Sequence, residues 1–127
     1  MGDGNLHDFI LNYQLAFKQR DLAKCMSFFH GDATLKFLFA TYKGYKAIEK
    51  WHKDRFDANL QLLNLESIKV EQNKVVLKMT ATSKRLSTFN IKSMKGTGTY
   101  IIEKGLIVKV TYSPTRGIAS HMDWHFG

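Results

Sequence analysis

The chain has 127 residues, 44% of them hydrophobic and 13% aromatic, with a single cysteine and a formal net charge of +8. That length suits one domain spanning 1–127 that buries about two-thirds of its unfolded surface, and the apolar content excludes wholesale disorder. One cysteine excludes an internal disulfide, and no run approaches the ~18 apolar residues of a membrane span, so the expectation is a cytoplasmic domain making no contact with a membrane.

Taken in order, the first stretch carries Leu6, Phe9, Ile10, Tyr13 and Phe17 on one face at a period of 3.6, which predicts a helix with Tyr13 as the polar group on its buried side. Asp21 is a good N-cap for a second helix that places Leu22, Cys25, Met26 and Phe29 at i, i+3, i+4 and i+7, with His30, Gly31 and Asp32 as its stop. Residues 33–39 are short and continuously apolar, which predicts a strand with a buried face. After a break at Tyr42, Lys43 and Gly44, Tyr45–Asp57 reads as a third helix. Its apolar side holds Tyr45, Ile48, Trp51 and Phe56, and Lys43, Lys46, Lys50 and Lys53 form the opposite stripe. His52 and Arg55 fall among the apolar residues, either as pocket-facing polar groups or as an edge histidine and a snorkelling arginine.

From Leu60 onward the helical period gives way to alternation, and strands are predicted over 60–70, 74–85, 94–103 and 106–112. Val75, Leu77, Met79, Ala81 and Ser83 share one face of the second of these. Glu103, Lys104 and Gly105 form a tight hairpin between the last two. Gly96 and Gly98, two apart in one strand, mark a bend or a place where bulk would fill a cavity. Helices followed by neighbouring strands give an α+β class: a cone-shaped, curved, mostly antiparallel sheet packed on three helices.

The charge raises nucleic acid as a partner, but the basic residues are scattered without an arginine-rich run, an aromatic RNA-binding motif or zinc-finger spacing, and nucleic acid is not expected. The lysine stripe is either the solvated side of a helix or the surface of a basic adaptor for an acidic partner. His121, Asp123 and His125 offer three potential ligands without an obvious fourth, so neither a metal nor another cofactor is expected, and Trp124 and Phe126 are expected to dock the tail, 115–127, onto the body.

Three groups of residues resemble the nuclear transport factor 2-like superfamily, in its SnoaL-like and ketosteroid-isomerase-like branches, over about residues 6–114. The first runs from Tyr13 through Asp21-Leu22 and Phe28-Phe29 to Asp32-Ala33-Thr34; the second is Gly44 with Ala47-Ile48 and Trp51; the third is the closing hairpin from Tyr100 to Tyr112, followed by Pro114. The resemblance implies a cystatin-like roll around a pocket, and a homodimer through the outer face of the sheet, where Leu38, Val76 and Ile102 are expected. It also implies a departure. Ketosteroid isomerases carry a proton-shuttling aspartate on the strand after Asp-Ala-Thr, where this chain has Phe37, and the late strand over 94–102 has no carboxylate for the second acidic role.

The leading expectation is therefore a protein that binds a small apolar or aromatic molecule between helices and sheet, in a pocket lined by Tyr13, Phe17, Phe37, Trp51, Arg55 and Met79. An isomerase or cyclase using Tyr13 as hydrogen-bond donor and His52 as base is the second, and the basic adaptor is the third.

Overall fold

The computed structural model of the protein describes residues 3–90 and 93–114. The elements run α1 (Asp3–Lys18), α2 (Leu22–Ser27), β1 (Phe29–Phe37), β2 (Ala40–Lys43), α3 (Tyr45–Asp57), β3 (Gln61–Glu71), β4 (Lys74–Thr82), α4 (Lys84–Thr88), β5 (Met94–Glu103) and β6 (Leu106–Pro114). The strands form one open, curved sheet in the order β2-β1-β6-β5-β4-β3. Every pairing is antiparallel except β1 with β6, which makes the sheet mixed and returns the last strand to the first.

The α+β class and the curved sheet stand as expected from the sequence, and four local differences have identifiable causes. Phe28 caps α2, so β1 begins at Phe29 and absorbs His30, Gly31 and Asp32, the residues expected to stop the helix. They fit because β1 slips register against β6 between Phe29 and Thr34, and the His30 Nδ1 accepts the Asp32 N–H at 3.0 Å. The apolar run over 33–39 ends in a tight turn at Leu38, whose φ of 57° reverses the chain into β2. No glycine, proline or asparagine announces that turn. The strand expected over 74–85 stops at Thr82, where the Ser83 hydroxyl accepts the Leu86 N–H and starts α4. Finally, Tyr45 stands 45% exposed at the start of α3, and Ile102 faces the core rather than the outer face because it alternates in phase with Gly98 and Tyr100 on β5.

Helices α1 and α3 cover one face of the sheet. Asp21 caps α2 by accepting the Lys24 N–H. The shared core joins Ile10, Cys25, Leu35, Ile48, Leu77 and Val110, all fully buried. Residues alternate on the strands as a half-covered sheet requires, with Val75, Leu77 and Met79 inward and Val76 and Lys78 outward. The outer face is a field of threonines and lysines: Lys36 pairs in register with Thr111, Thr111 with Thr99, and Thr99 with Val76. Lys46, Lys50 and Lys53 are exposed on α3, where Lys50 meets Asp54 and Lys53 meets Glu49, while Lys43 lies on β2. Among the described residues, no helix is long and apolar enough to cross a membrane.

Candidate ligand pocket

The core is divided into two ends. At the closed end, α1 supplies Tyr13 and Gln14, α3 supplies His52, and the last two strands supply Tyr100 and Tyr112. The Tyr13 hydroxyl lies 2.7 Å from His52 Nε2, and His52 Nδ1 lies 2.8 Å from the Ile48 carbonyl. A carbonyl only accepts, so Nδ1 carries the proton and Tyr13 donates to Nε2. Gln14 Nε2 donates to the Tyr100 hydroxyl at 3.0 Å, and the Tyr100 and Tyr112 hydroxyls are 2.8 Å apart. Two short runs result, one joining Gln14, Tyr100 and Tyr112 and the other Tyr13, His52 and the Ile48 carbonyl, so that each of these buried hydroxyls has a partner. Such runs satisfy polar groups that would otherwise be costly to bury.

Burial dominates the electrostatics of this network. It pushes the phenols of Tyr13, Tyr100 and Tyr112 well above their usual range, so all three stay protonated. It lowers His52 to about 4, with the hydrogen bond to Ile48 acting in the opposite sense, and it raises the buried Cys25 thiol to about 12. His52 is neutral at pH 7 and Cys25 is an inert core thiol. Gly98 makes room for the tyrosines, since a Cβ there would stand 3.0 Å from ring carbons of both Tyr100 and Tyr112. The glycine pair noticed in the sequence thus serves tyrosine packing at Gly98 and the cavity wall at Gly96.

At the other end the same elements enclose a cavity of about 210 Å³, partly open to solvent. Trp51 and Tyr112 stack at 5.4 Å with their planes 7° apart, and Phe37 meets Trp51 edge-on at 5.5 Å. The Arg55 guanidinium sits 4.8 Å above the Phe37 ring. Met79, Leu60 and Leu62 continue the wall, and its charged residues are Arg55 and Lys95 alone among those described. Lys95 is paired with Glu66 at 3.3 Å.

Of the residues named from the sequence for ligand contact, Phe17, Phe37, Trp51, Arg55 and Met79 line this cavity. Tyr13 does not: one helical turn from Phe17, it is fully buried, and its hydroxyl is committed to His52. Neither Tyr13 nor His52, the expected donor and base, is among the residues lining this cavity, and the two side chains hydrogen-bond each other. Sequence reading missed Gln14, Leu62, Leu86 and Tyr112. Gln14 and Tyr112 carried a usable signal, a polar residue beside a buried tyrosine and an aromatic at the end of an alternating strand; Leu86 became visible only with α4. A second depression of about 440 Å³ between α1 and β3, with Leu11, Leu15, Leu63 and Leu65 exposed along it, adjoins the cavity through Gln14, Leu62 and Met79. Among the described residues no cluster of histidine, cysteine or carboxylate could hold a metal; His121, Asp123, Trp124, His125 and Phe126 lie outside them.

No family model matches the sequence, and no curated protein matches it. Solved structures do. The chain superposes on a candidate polyketide cyclase of Sinorhizobium meliloti with a TM-score of 0.76 at 18% identity, covering 89% of this chain and 100% of that one. It is similar to an NTF2-like protein of Cytophaga hutchinsonii with a TM-score of 0.70 at 16% identity, over 86% of this chain and 88% of the other. TerC, crystallised with polyporic acid, gives a TM-score of 0.70 at 15% identity over 91% and 94% of the two chains. At these identities the likeness is one of architecture, and the architecture shown is the nuclear transport factor 2-like, cystatin-like fold.

Proposed function

We propose that the protein binds a small apolar or aromatic molecule in the cavity between α1, α3 and the inner face of β4, β5 and β6. The observation that carries this reading is the wall itself: aromatic rings and aliphatic side chains surround a space that the core leaves unfilled, in a chain whose other end is packed without a comparable gap. Protein interiors are packed as densely as organic crystals, so a void of this size in an otherwise packed core favours an occupant. An apolar cavity of about 150 Å³ takes a benzene ring, and the space here suits one ring with a short substituent or two fused rings. Candidate polyketide cyclases and TerC with polyporic acid, among the structural neighbours, support a ring-bearing ligand.

Titration calorimetry with naphthalene-sized probes tests the reading, using Ala81→Phe as the control that fills the cavity from β4. Binding by the parent chain and its loss in a folded Ala81→Phe variant are the expected results. Equal binding by both would place the probe elsewhere. A cyclase or isomerase reading takes support from the fold of those neighbours, but the cavity wall presents no described carboxylate or histidine to move a proton. The basic-adaptor reading has the exposed lysines of α3, two of which are already opposed by carboxylates on the same helix.

A further inference from the structure

Resting on that pocket reading, we propose that the ligand carries an unbranched alkyl chain on its ring, with the ring in the cavity and the chain lying along the depression between α1 and β3. Three observations converge on an elongated guest.

The first is continuity. The cavity and the depression share Gln14, Leu62 and Met79 as wall, so a molecule that leaves the cavity past these side chains enters the depression directly. Met79 is unbranched, and methionine adapts to irregular space, which lets it turn aside for a chain without disturbing the backbone of β4.

The second is size. At about 210 Å³ the cavity is smaller than the roughly 300–1,000 Å³ of ordinary ligand sites, whereas the cavity and the depression of about 440 Å³ together fall within that range. A ring with a short substituent fills the first space. Only a chain uses the second.

The third is the lining. Leu11 and Leu15 stand one turn apart on α1, opposite Leu63 and Leu65 on β3, and all four are exposed in this one depression. Half of the exposed large apolar side chains among the described residues are gathered here, and apolar surface concentrated in this way marks a contact site. The edge strand β3 slips register against β4 between Leu62 and Asn64. In a regular strand Leu62 and Leu63 would face opposite sides; across the bulge both line the depression. A concave surface set against its own copy about a twofold axis encloses a void, whereas a flexible chain fills it.

Calorimetry with 4-ethylphenol, 4-butylphenol and 4-hexylphenol separates this proposal from the pocket reading beneath it, because the ring is common to all three and only the longer chains reach the depression. Affinity should rise about two- to fourfold per added methylene, the upper value corresponding to full burial. Leu15→Gln and Leu63→Gln, separately and together, change leucines that are 51% and 54% exposed, so the fold should tolerate them, and thermal melts confirm it. The double variant should flatten the rise with chain length while leaving 4-ethylphenol affinity within about threefold, and each single variant should flatten it in part. Parent protein that binds 4-ethylphenol but gains nothing from longer chains, or a rise that persists unchanged in the double variant, would overturn the chain proposal and leave the pocket reading intact. Self-association lost in the double variant would assign the depression to a second copy and overturn the proposal as well. Failure of all three phenols to bind would overturn both readings.

Discussion

The closed and open ends of the core are built from the same three elements, and they use side-chain polarity in opposite ways. On α1, Tyr13 faces the closed end and Phe17 the cavity; on α3, His52 faces the closed end while Trp51 and Arg55 reach the cavity. On β5, Tyr100 belongs to the network and Gly96 to the wall. The polar groups that look catalytic in the sequence, a core tyrosine and a histidine, are locked into a chain of mutual hydrogen bonds. The phenylalanine that replaces the expected aspartate, Phe37, instead lies beneath the Arg55 guanidinium at the cavity wall. Polarity in a buried position therefore marks structure here, and an apolar wall marks the site.

The largest expected effect compares neighbours on one strand. Leu77 is fully buried beneath the helices and Met79 is at the cavity wall, both on the inner face of β4. Truncation to alanine costs about 2–5 kcal/mol in packed cores, with the cost rising with the size of the void left behind. Leu77→Ala should fall in the upper part of that range with probe affinity retained. Met79→Ala, beside space that already exists, should fall at its lower end and change probe affinity. Denaturant melts and calorimetry on the same two variants check both statements.

Acid should loosen the closed end next. With its pKa lowered from 6.5 to about 4, His52 stays neutral in the fold at pH values where the unfolded chain has already taken up a proton. The unfolded state thus binds more protons between pH 6.5 and about 4, and stability falls as pH drops through that window, by roughly 3 kcal/mol in all, then levels off with respect to this residue. Above pH 6.5 both states are neutral and the contribution is flat. His52→Gln should show a shallower decline in melting temperature over the same window, and an equal slope would indicate that another group is responsible.

Gly98→Ala presses a methyl group into the Tyr100 and Tyr112 rings and should cost about 1–3 kcal/mol, as overpacking does. Because Tyr112 also stacks on Trp51, this variant should lower probe affinity as well, linking the two ends through one ring. A smaller effect concerns the outer face, through which we propose that two copies pair. Lys36, Lys78 and Lys109 project there and would face like charges across a twofold axis. Sedimentation should then show association strengthening as ionic strength rises, whereas weakening by salt would point to an acidic partner instead.

The features legible in the sequence were those encoded locally. The bounds of α3, the Asp21 cap, the alternation of β4 and β5 and the Lys104-Gly105 hairpin, with both residues at positive φ, all follow from period and turn chemistry. Five of the residues named for the cavity wall followed from apolar faces alone. Features set by tertiary context were hidden. A leucine in the left-handed region at Leu38 makes β2, a register slip folds His30, Gly31 and Asp32 into β1, and the partner of Tyr13 lies 39 residues away on another helix. Periodicity could bury Tyr13 and His52, but it could not tell whether they faced a cavity or each other.

Thermal melting of Tyr13→Phe with and without a naphthalene-sized probe tests the division between the two ends most directly. The substitution keeps the ring and removes the hydroxyl that bonds His52, leaving a buried ring nitrogen unsatisfied at a cost of about 1–3 kcal/mol. The predicted result is a lower melting temperature for the free protein, with the ligand-induced stabilisation measured at a common temperature unchanged. An unchanged melting temperature together with a lost ligand response would contradict the account and return Tyr13 to the binding site.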